Sequence, residues 1–172
     1  MGLIWQDARD GYICAMSQST RATQFLKAQG VSFVLHSYNY DSDADHIGLA
    51  AAEAIGAEPK RVLKTLMLLL DGKPVCAVIP SDREVSMKKF AAALHGKSAV
   101  MMKPDDAERL TGYHVGGISP FGQKKRVPVV LEETALQEAT IFLNGGQRGL
   151  QAEIAPQEII RTLNAIAAAI VA

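Results

Sequence analysis

Cysteine is nearly missing from this 172-residue chain, which holds only Cys14 and Cys76. Two isolated thiols cannot build a disulfide framework or fill a four-ligand zinc site. Such sparing use fits a reducing compartment. Cys76 sits in the apolar run Val75-Cys76-Ala77-Val78-Ile79, where a thiol behaves as a small buried hydrophobe. Long apolar runs are missing too. Leu66 to Leu70 ends at Asp71-Gly72 and is strand-sized, far short of a bilayer span. Asp7, Arg9 and Asp10 interrupt the first fifteen residues, so they lack a signal-peptide core. A cytoplasmic location is expected. Net charge is also absent, at +0. That argues against a general nucleic-acid coat protein, whose affinity comes from many phosphate contacts. A protein that grips one end of an RNA through a local patch remains open.

The usual signatures of protein-side chemistry are lacking. His36, His46, His95 and His114 show no metal-ligand spacing. There is no Gly-x-Ser-x-Gly elbow, and neither cysteine sits in an electropositive setting. His114 adjoins a glycine loop and could act as a base, although a lone loop histidine is more often incidental. No metal, no cofactor and no protein nucleophile are expected.

What the chain does have is 48% apolar and 21% charged residues, enough to bury a core. Residues 1–17 are expected to form an N-terminal extension to which Trp5 and Tyr12 assign no function, and residues 18–172 a single domain. Ser19 or Thr20 can cap a short helix that stops at Gly30. Val31 to His36 is a β-rich strand, and Asp45 can cap an Ala-rich helix that ends at Gly56. Arg61 to Leu70 and Pro74 to Ile79 flank the hairpin signal Asp71-Gly72. Ser86 can cap a helix through Leu94, Ala99 to Met102 is a short strand, and Pro104 opens a helix to Leu110. Strands follow at Val127–Leu131, Thr140–Leu143 and Leu150–Ile154. A last helix from Pro156 would align Ile159, Ile160, Leu163, Ile166 and Ile170 on one face. Helices interleaved with strands give a mixed α/β or α+β domain.

Three features stand out. Lys64 interrupts a strand that is apolar on both faces, so its ammonium must find a carboxylate, a pocket or the strand end. It is either an edge charge guarding against aggregation or a pocket cation for a substrate phosphate or carbonyl. Gly116-Gly117-Ile118-Ser119-Pro120-Phe121-Gly122 combines adjacent glycines with a stiffening proline. Such a loop is often a surface turn, but it can present main-chain N–H groups to an anion or a carbonyl oxygen. Lys124, Lys125 and Arg126 follow at once, with Arg148 in a second glycine-rich turn. They form a solvated charge run or a phosphate-binding patch.

Taken in order, Val62-Leu63-Lys64-Thr65-Leu66, the stretch Thr111 to Pro128 and Gly145-Gly146-Gln147-Arg148-Gly149-Leu150 resemble the YbaK/EbsC family of tRNA-editing proteins. The resemblance runs from about Thr20 to near the C-terminus. It implies a curved, barrel-like mixed β-sheet with flanking helices, and hydrolysis of the ester that joins an amino acid to the tRNA 3′ end. It further implies catalytic roles for Lys64 and Gly116, and a Gly-x-x-x-Pro loop from Gly116 to Pro120. Tyr38, Ile47, Thr65, Gly117, Ser119, Pro120 and Gln151 would contact substrate. Lys124, Lys125, Arg126 and Arg148 would steer the tRNA. Within the family the likeness favours trans-editing of Cys-tRNA(Pro), with the substrate's own thiol as nucleophile and prolyl-tRNA synthetase as a transient partner. Ile47 stands where an aromatic residue is common and Gln151 where an aspartate follows Gly-Leu. These departures keep open a deacylase for alanine, serine or threonine. A non-catalytic tRNA or synthetase-binding module and a small-nucleotide binder are the readings from other classes.

Overall fold

A computed structural model describes residues 19–172. The expected extension over residues 1–17, with Trp5, Tyr12 and Cys14, lies outside the described residues. Helix α1 (Arg21–Ala28) begins at Thr20, whose side chain accepts from the Thr23 N–H while the Thr23 side chain receives the Thr20 N–H. This reciprocal cap satisfies two of the orphan donors at the helix start. Strand β1 (Val34–Ser37) follows, then α2 (Ile47–Ile55), closed by Gly56 in the left-handed conformation. Asp45 does not cap α2, contrary to expectation. The cap position is His46, and it makes no side-chain cap bond.

Strands β2 (Leu63–Leu70) and β3 (Lys73–Pro80) form the expected hairpin, with Asp71 and Gly72 both at positive φ in the turn. Both central residues at positive φ match the right-handed twist of the flanking strands. Then come α3 (Met87–Ala93), capped by Ser86, β4 (Ala99–Met101), and α4 (Pro104–Thr111). Strands β5 (Val129–Glu132), β6 (Ile141–Asn144) and β7 (Leu150–Ile154) lead to α5 (Gln157–Leu163) and β8 (Ile166–Ala168).

The long terminal helix expected from the Ile/Leu spacing is not formed. Asn164 adopts the left-handed conformation at φ 52 and stops α5, and Ile166 then pairs with Val130 in a parallel ladder. The tail beyond it is held by Glu132, whose buried carboxylate accepts from the Ile170 and Val171 N–H groups at 2.7 and 3.2 Å. Periodicity cannot anticipate a carboxylate one strand away. That contact, with the Asn164 turn, overrides the helical pattern.

The described residues form a mixed α+β fold with two sheets. The larger has the order β4-β2-β3-β5-β8, and the smaller is β1-β7-β6. One parallel bridge, Val62 to Phe142, joins them, and the expected barrel-like sheet is not closed among the described residues. Strand alternation divides the apolar residues between two layers. Cys76 and Val78 pack inward with Leu63, Met67, Leu131, Ile141 and Ile154. Val75, Ala77 and Ile79 face Phe90 and Ile170 on the other side. Burial pushes the Cys76 thiol up to about 12, which keeps it protonated and inert.

Candidate active site

The two core layers leave one end of β2 open, and a cavity of about 310 Å³ sits there. Its walls come from β2, the start of α2, Ser81, the loop at Val115, Gly116 and Ile118, and the polar side chains of Tyr38, Asn144 and Gln151. The sheet register explains the opening. Leu70 pairs with Lys73 across the two-residue turn. Even-numbered residues of β2 therefore share ladder bonds with β3. The Ser81 N–H continues the same alternation by donating to the Val62 carbonyl at 2.8 Å. Odd-numbered residues face the other edge, as the 3.0 Å bond from the Met102 N–H to the Met67 carbonyl confirms. Strand β4 covers that edge only over Leu68–Leu70, and the Val62–Phe142 bridge begins at the far end. Between them the Thr65 main-chain N–H and C=O lie on an edge that neither strand covers, in a residue that lines the cavity.

Three buried side-chain atoms lack a hydrogen-bond partner among the described residues: the Tyr38 hydroxyl, Thr65 Oγ1 and Gln151 Oε1. All three belong to residues lining this cavity. A buried polar atom left unmatched costs about 1–3 kcal/mol, so native structures seldom keep one without a reason. Burial also pushes the Tyr38 phenol up, an effect that the nearby Gln151 amide and the Gly149 main chain partly offset. The phenol of this cavity-lining residue therefore keeps its proton at neutral pH.

Lys64 lies at the rim, with a 3.1 Å bond from Nζ to Glu84 Oε1. The Lys64 side chain keeps 24% of its surface exposed and Glu84 keeps 78%. A pair with so wet a partner is worth only about 0–1 kcal/mol, so an incoming phosphate or carbonyl oxygen can displace the carboxylate. Lys64 is thus both an ion-paired strand residue and a cavity cation.

Gly116 also lines the cavity, at φ +89, and a Cβ built there would stand 2.3 Å from the Tyr40 hydroxyl. The loop's far end is fixed in the core. Phe121 is fully buried and stacks on Phe25 with ring centroids 5.8 Å apart. Ser119 is fully buried, with Oγ accepting from the Phe121 N–H at 3.2 Å. Ser119 and the buried Pro120 therefore brace the loop and do not line the cavity. Gly117 does not line it either. Its N–H closes a turn onto the His114 carbonyl at 2.8 Å.

Of the expected site residues, the structure brings Lys64, Gly116, Tyr38, Ile47, Thr65 and Gln151 to one cavity. The cationic run lies elsewhere. Lys124 and Lys125 border an apolar groove with Leu69 and Leu110, and the Arg126 guanidinium donates to the Thr162 carbonyl at 3.2 Å. His114 is 84% exposed in its side chain, 3.6 Å from Glu108, and lies off the cavity. Sequence reasoning missed Asn144, which lines the cavity and donates from Nδ2 to the Gly116 carbonyl at 3.3 Å. It also missed Gly48, whose added Cβ would stand 2.8 Å from Ser81 Cβ. A glycine inside an Ala-rich helix was the available signal for that close approach.

The Glu108 carboxyl is held below its ordinary value of 4.5, first by accepting the Val115 N–H, against some burial, and then by His114 and Arg148 nearby. A depressed folded value means that this contact stabilises above pH 4.5 and is lost as pH falls through the lower folded value. The Val115 amide shift should therefore titrate with a midpoint below 4.5 and stay flat in Glu108→Gln. A midpoint at or above 4.5 would contradict the contact.

An open-edged strand, a displaceable cation and a glycine loop around unmatched polar atoms define a site built for a polar ligand with a carbonyl or phosphate. The family model for the aminoacyl-tRNA editing domain matches residues 42–162. The chain belongs to this family, in its YbaK/EbsC branch. Editing of an aminoacyl-tRNA is hydrolysis of its ester, so the protein is an aminoacyl-tRNA deacylase.

Among relatives, a protein of Enterococcus faecalis named as a candidate Cys-tRNA(Pro)/Cys-tRNA(Cys) deacylase, EbsC, is 37% identical over 149 residues, covering 86% of this chain and 90% of its own. A proline–tRNA ligase of Acidithiobacillus ferrooxidans is 29% identical over 85 residues, 49% of this chain and 15% of the ligase. A solved structure described as a candidate trans-editing enzyme for prolyl-tRNA synthetase superposes with a TM-score of 0.76. It shares 22% identity, over 92% of this chain and 99% of that one, and supports the fold alone.

Proposed function

We propose that the chain clears cysteine from tRNA(Pro) in trans, using the substrate's own thiol as the nucleophile. The observation that carries a binding role for the cavity is the coincidence of its three unmatched buried polar atoms with a cation and a glycine loop. Lys64 would hold the terminal phosphate or the ester region, and the main chain at Gly116 would receive the developing oxyanion. Tyr38, Thr65 and Gln151 would match the polar groups of the aminoacyl-adenosine.

The cavity lining holds no cysteine among the described residues. Asp45, His46 and Ser81 border it, but the Ser81 hydroxyl donates to the Pro59 carbonyl at 2.9 Å, and no hydrogen bond joins it to His46 as a nucleophile–base pair. Positioning then supplies the rate. In the proposed step the cysteinyl sulfur, having lost its proton, bonds to its own ester carbon. The carbonyl oxygen takes negative charge beside the loop. Collapse breaks the bond to the ribose oxygen, which takes up a proton, and leaves a cyclic thiolactone for water to open. Proline and cysteine are close in size, so a volume-measuring synthetase pocket separates them poorly, and a thiol-dependent sieve adds the missing discrimination.

Relatives named for Cys-tRNA(Pro) and for proline–tRNA ligase support this substrate. A net charge of +0 suits a protein that borrows tRNA affinity from the synthetase in a transient complex. Lys124 and Lys125 are exposed and free to contact the tRNA backbone in that complex.

Ile47 and Gln151 favour a second reading, since both line the cavity and shape decides preference. Under it, the substrate is tRNA carrying alanine, serine or threonine. A panel of mischarged tRNAs, with and without the synthetase, separates the two. Cys-tRNA(Pro) should be cleaved with turnover and Ser-tRNA(Pro) at least about 100-fold more slowly, as expected when the reacting group itself is exchanged. Equal rates on both esters would point to activated water and refute the thiol route. Stoichiometric binding without turnover would leave only a docking module.

A further inference from the structure

The loop that carries Gly116 is held by its main chain from three directions. Glu108 on α4 accepts the Val115 N–H at 2.9 Å. Arg148, in the turn between β6 and β7, donates from Nε to the Val115 carbonyl at 3.0 Å. Asn144 at the end of β6 donates to the Gly116 carbonyl, and its own Oδ1 accepts the Gly146 N–H at 2.7 Å. A carboxylate and a guanidinium thus straddle one residue and take both of its peptide groups. The Gly117 N–H is spent on His114. Of the loop residues that line the cavity, Val115 has its N–H on Glu108, while the Gly116 and Ile118 N–H groups have no hydrogen-bond partner among the described residues. Of these two, Gly116 shares its peptide unit with the gripped Val115 carbonyl.

Peptide planarity connects these facts. The Val115 carbonyl and the Gly116 N–H belong to one trans peptide unit and point in opposite directions. Whatever grips the carbonyl aims the N–H. A charged donor on the carbonyl also polarises the unit and strengthens its N–H as a donor. The guanidinium lies 5.3 Å from the centroid of the Tyr40 ring, and the Tyr40 hydroxyl occupies the space that a Gly116 side chain would need. Arg148, Tyr40 and Gly116 therefore stack as one unit.

We propose that Arg148 is a positioning residue that, opposed by Glu108 across Val115, aims and polarises the Gly116 N–H as the oxyanion donor. This rests on the deacylase reading of the cavity. It differs from the expected role for Arg148 as a tRNA-backbone contact: its Nε is committed to the loop, and the salt dependence of tRNA binding decides between the two. Lysine can reach a carbonyl but lacks the planar fork that stacks on tyrosine, so Arg148→Lys should be intermediate.

The test compares wild type, Arg148→Ala and Arg148→Lys in single-turnover deacylation of Cys-tRNA(Pro), with tRNA binding measured over a range of salt. Losing an oxyanion donor outright costs about 100- to 1,000-fold. Mis-aiming one should lower the rate constant about 10- to 100-fold in Arg148→Ala and less in Arg148→Lys. The tRNA dissociation constant and its salt slope should stay as in wild type. Weaker tRNA binding with a shallower salt slope and an unchanged rate constant would overturn the proposal in favour of a phosphate contact. The Gly116 amide resonance of the free protein supplies a readout that needs no substrate. It should shift in Arg148→Ala and return towards wild type in Arg148→Lys, with the thermal midpoint unchanged. An unmoved Gly116 amide overturns the proposal even if activity falls. If wild type cleaves no member of the mischarged-tRNA panel, the functional reading fails on its own, and the amide shift alone decides whether the clamp exists.

Discussion

Replacing Lys64 with alanine is expected to leave a folded protein that cleaves Cys-tRNA(Pro) at least about 100-fold more slowly, the scale on which removal of a single electrostatic contact to the reacting group is felt. Folding should survive because the Lys64–Glu84 pair is exposed on the glutamate side. Such pairs contribute about 0–1 kcal/mol. Neighbouring Leu63 and Leu66 keep β2 anchored in its two core layers. Glu84→Gln provides the matching control. It frees the ammonium without removing it, so activity should hold or rise. Single-turnover assays with thermal melts on both variants check this. Full activity in Lys64→Ala would remove the lysine from the site.

Gly116→Ala should be nearly as damaging, for a different reason. At φ +89 any side chain is strained, at a cost of about 1–3 kcal/mol. The added methyl would also stand 2.3 Å from the Tyr40 hydroxyl. Tyr40 can swing away only by leaving Arg148, which lies 5.3 Å from its ring centroid. The loop is expected to shift, with deacylation falling about 100-fold if its N–H is the oxyanion donor. Gly30→Ala separates strain from position. Gly30 has φ +68 with nothing within 4 Å of the added Cβ, so that variant should lose stability and keep its activity. Equal activity losses in both variants would show that Gly116 matters only through folding.

Local chemistry made much of this legible in the chain. Asp71-Gly72 announced its hairpin and Ser86 its helix start, and Thr20 was one of two caps expected for the first helix. The lone lysine in an apolar strand was marked as a residue needing a carboxylate or a pocket, of which it has both. The strand Leu150–Ile154 formed with the bounds expected. Features that depend on distant partners were not legible. The Ile166 segment follows helical spacing, yet it pairs with β5 because Asn164 turns the chain and Glu132 binds the tail. Arg148 next to glycines resembled a free cation, and only the folded loop gives its Nε a carbonyl. Lys124 and Lys125 follow the glycine loop in sequence one residue on, but they border another groove. Adjacency along the chain was a poor guide there. The three unmatched polar atoms come from β2, β7 and the segment after β1, a convergence that no single-segment pattern contains.

The most direct measurement is an amide-resolved titration of the labelled protein with a non-hydrolysable substrate mimic, cysteine joined by an amide to 3′-amino-3′-deoxyadenosine. Gly116 and Thr65, which line the cavity from the glycine loop and from β2, should move together on binding, and Lys64→Ala should weaken both responses alike. Shifts confined to the groove beside Lys124 and Lys125, with Gly116 and Thr65 unmoved, would contradict the account.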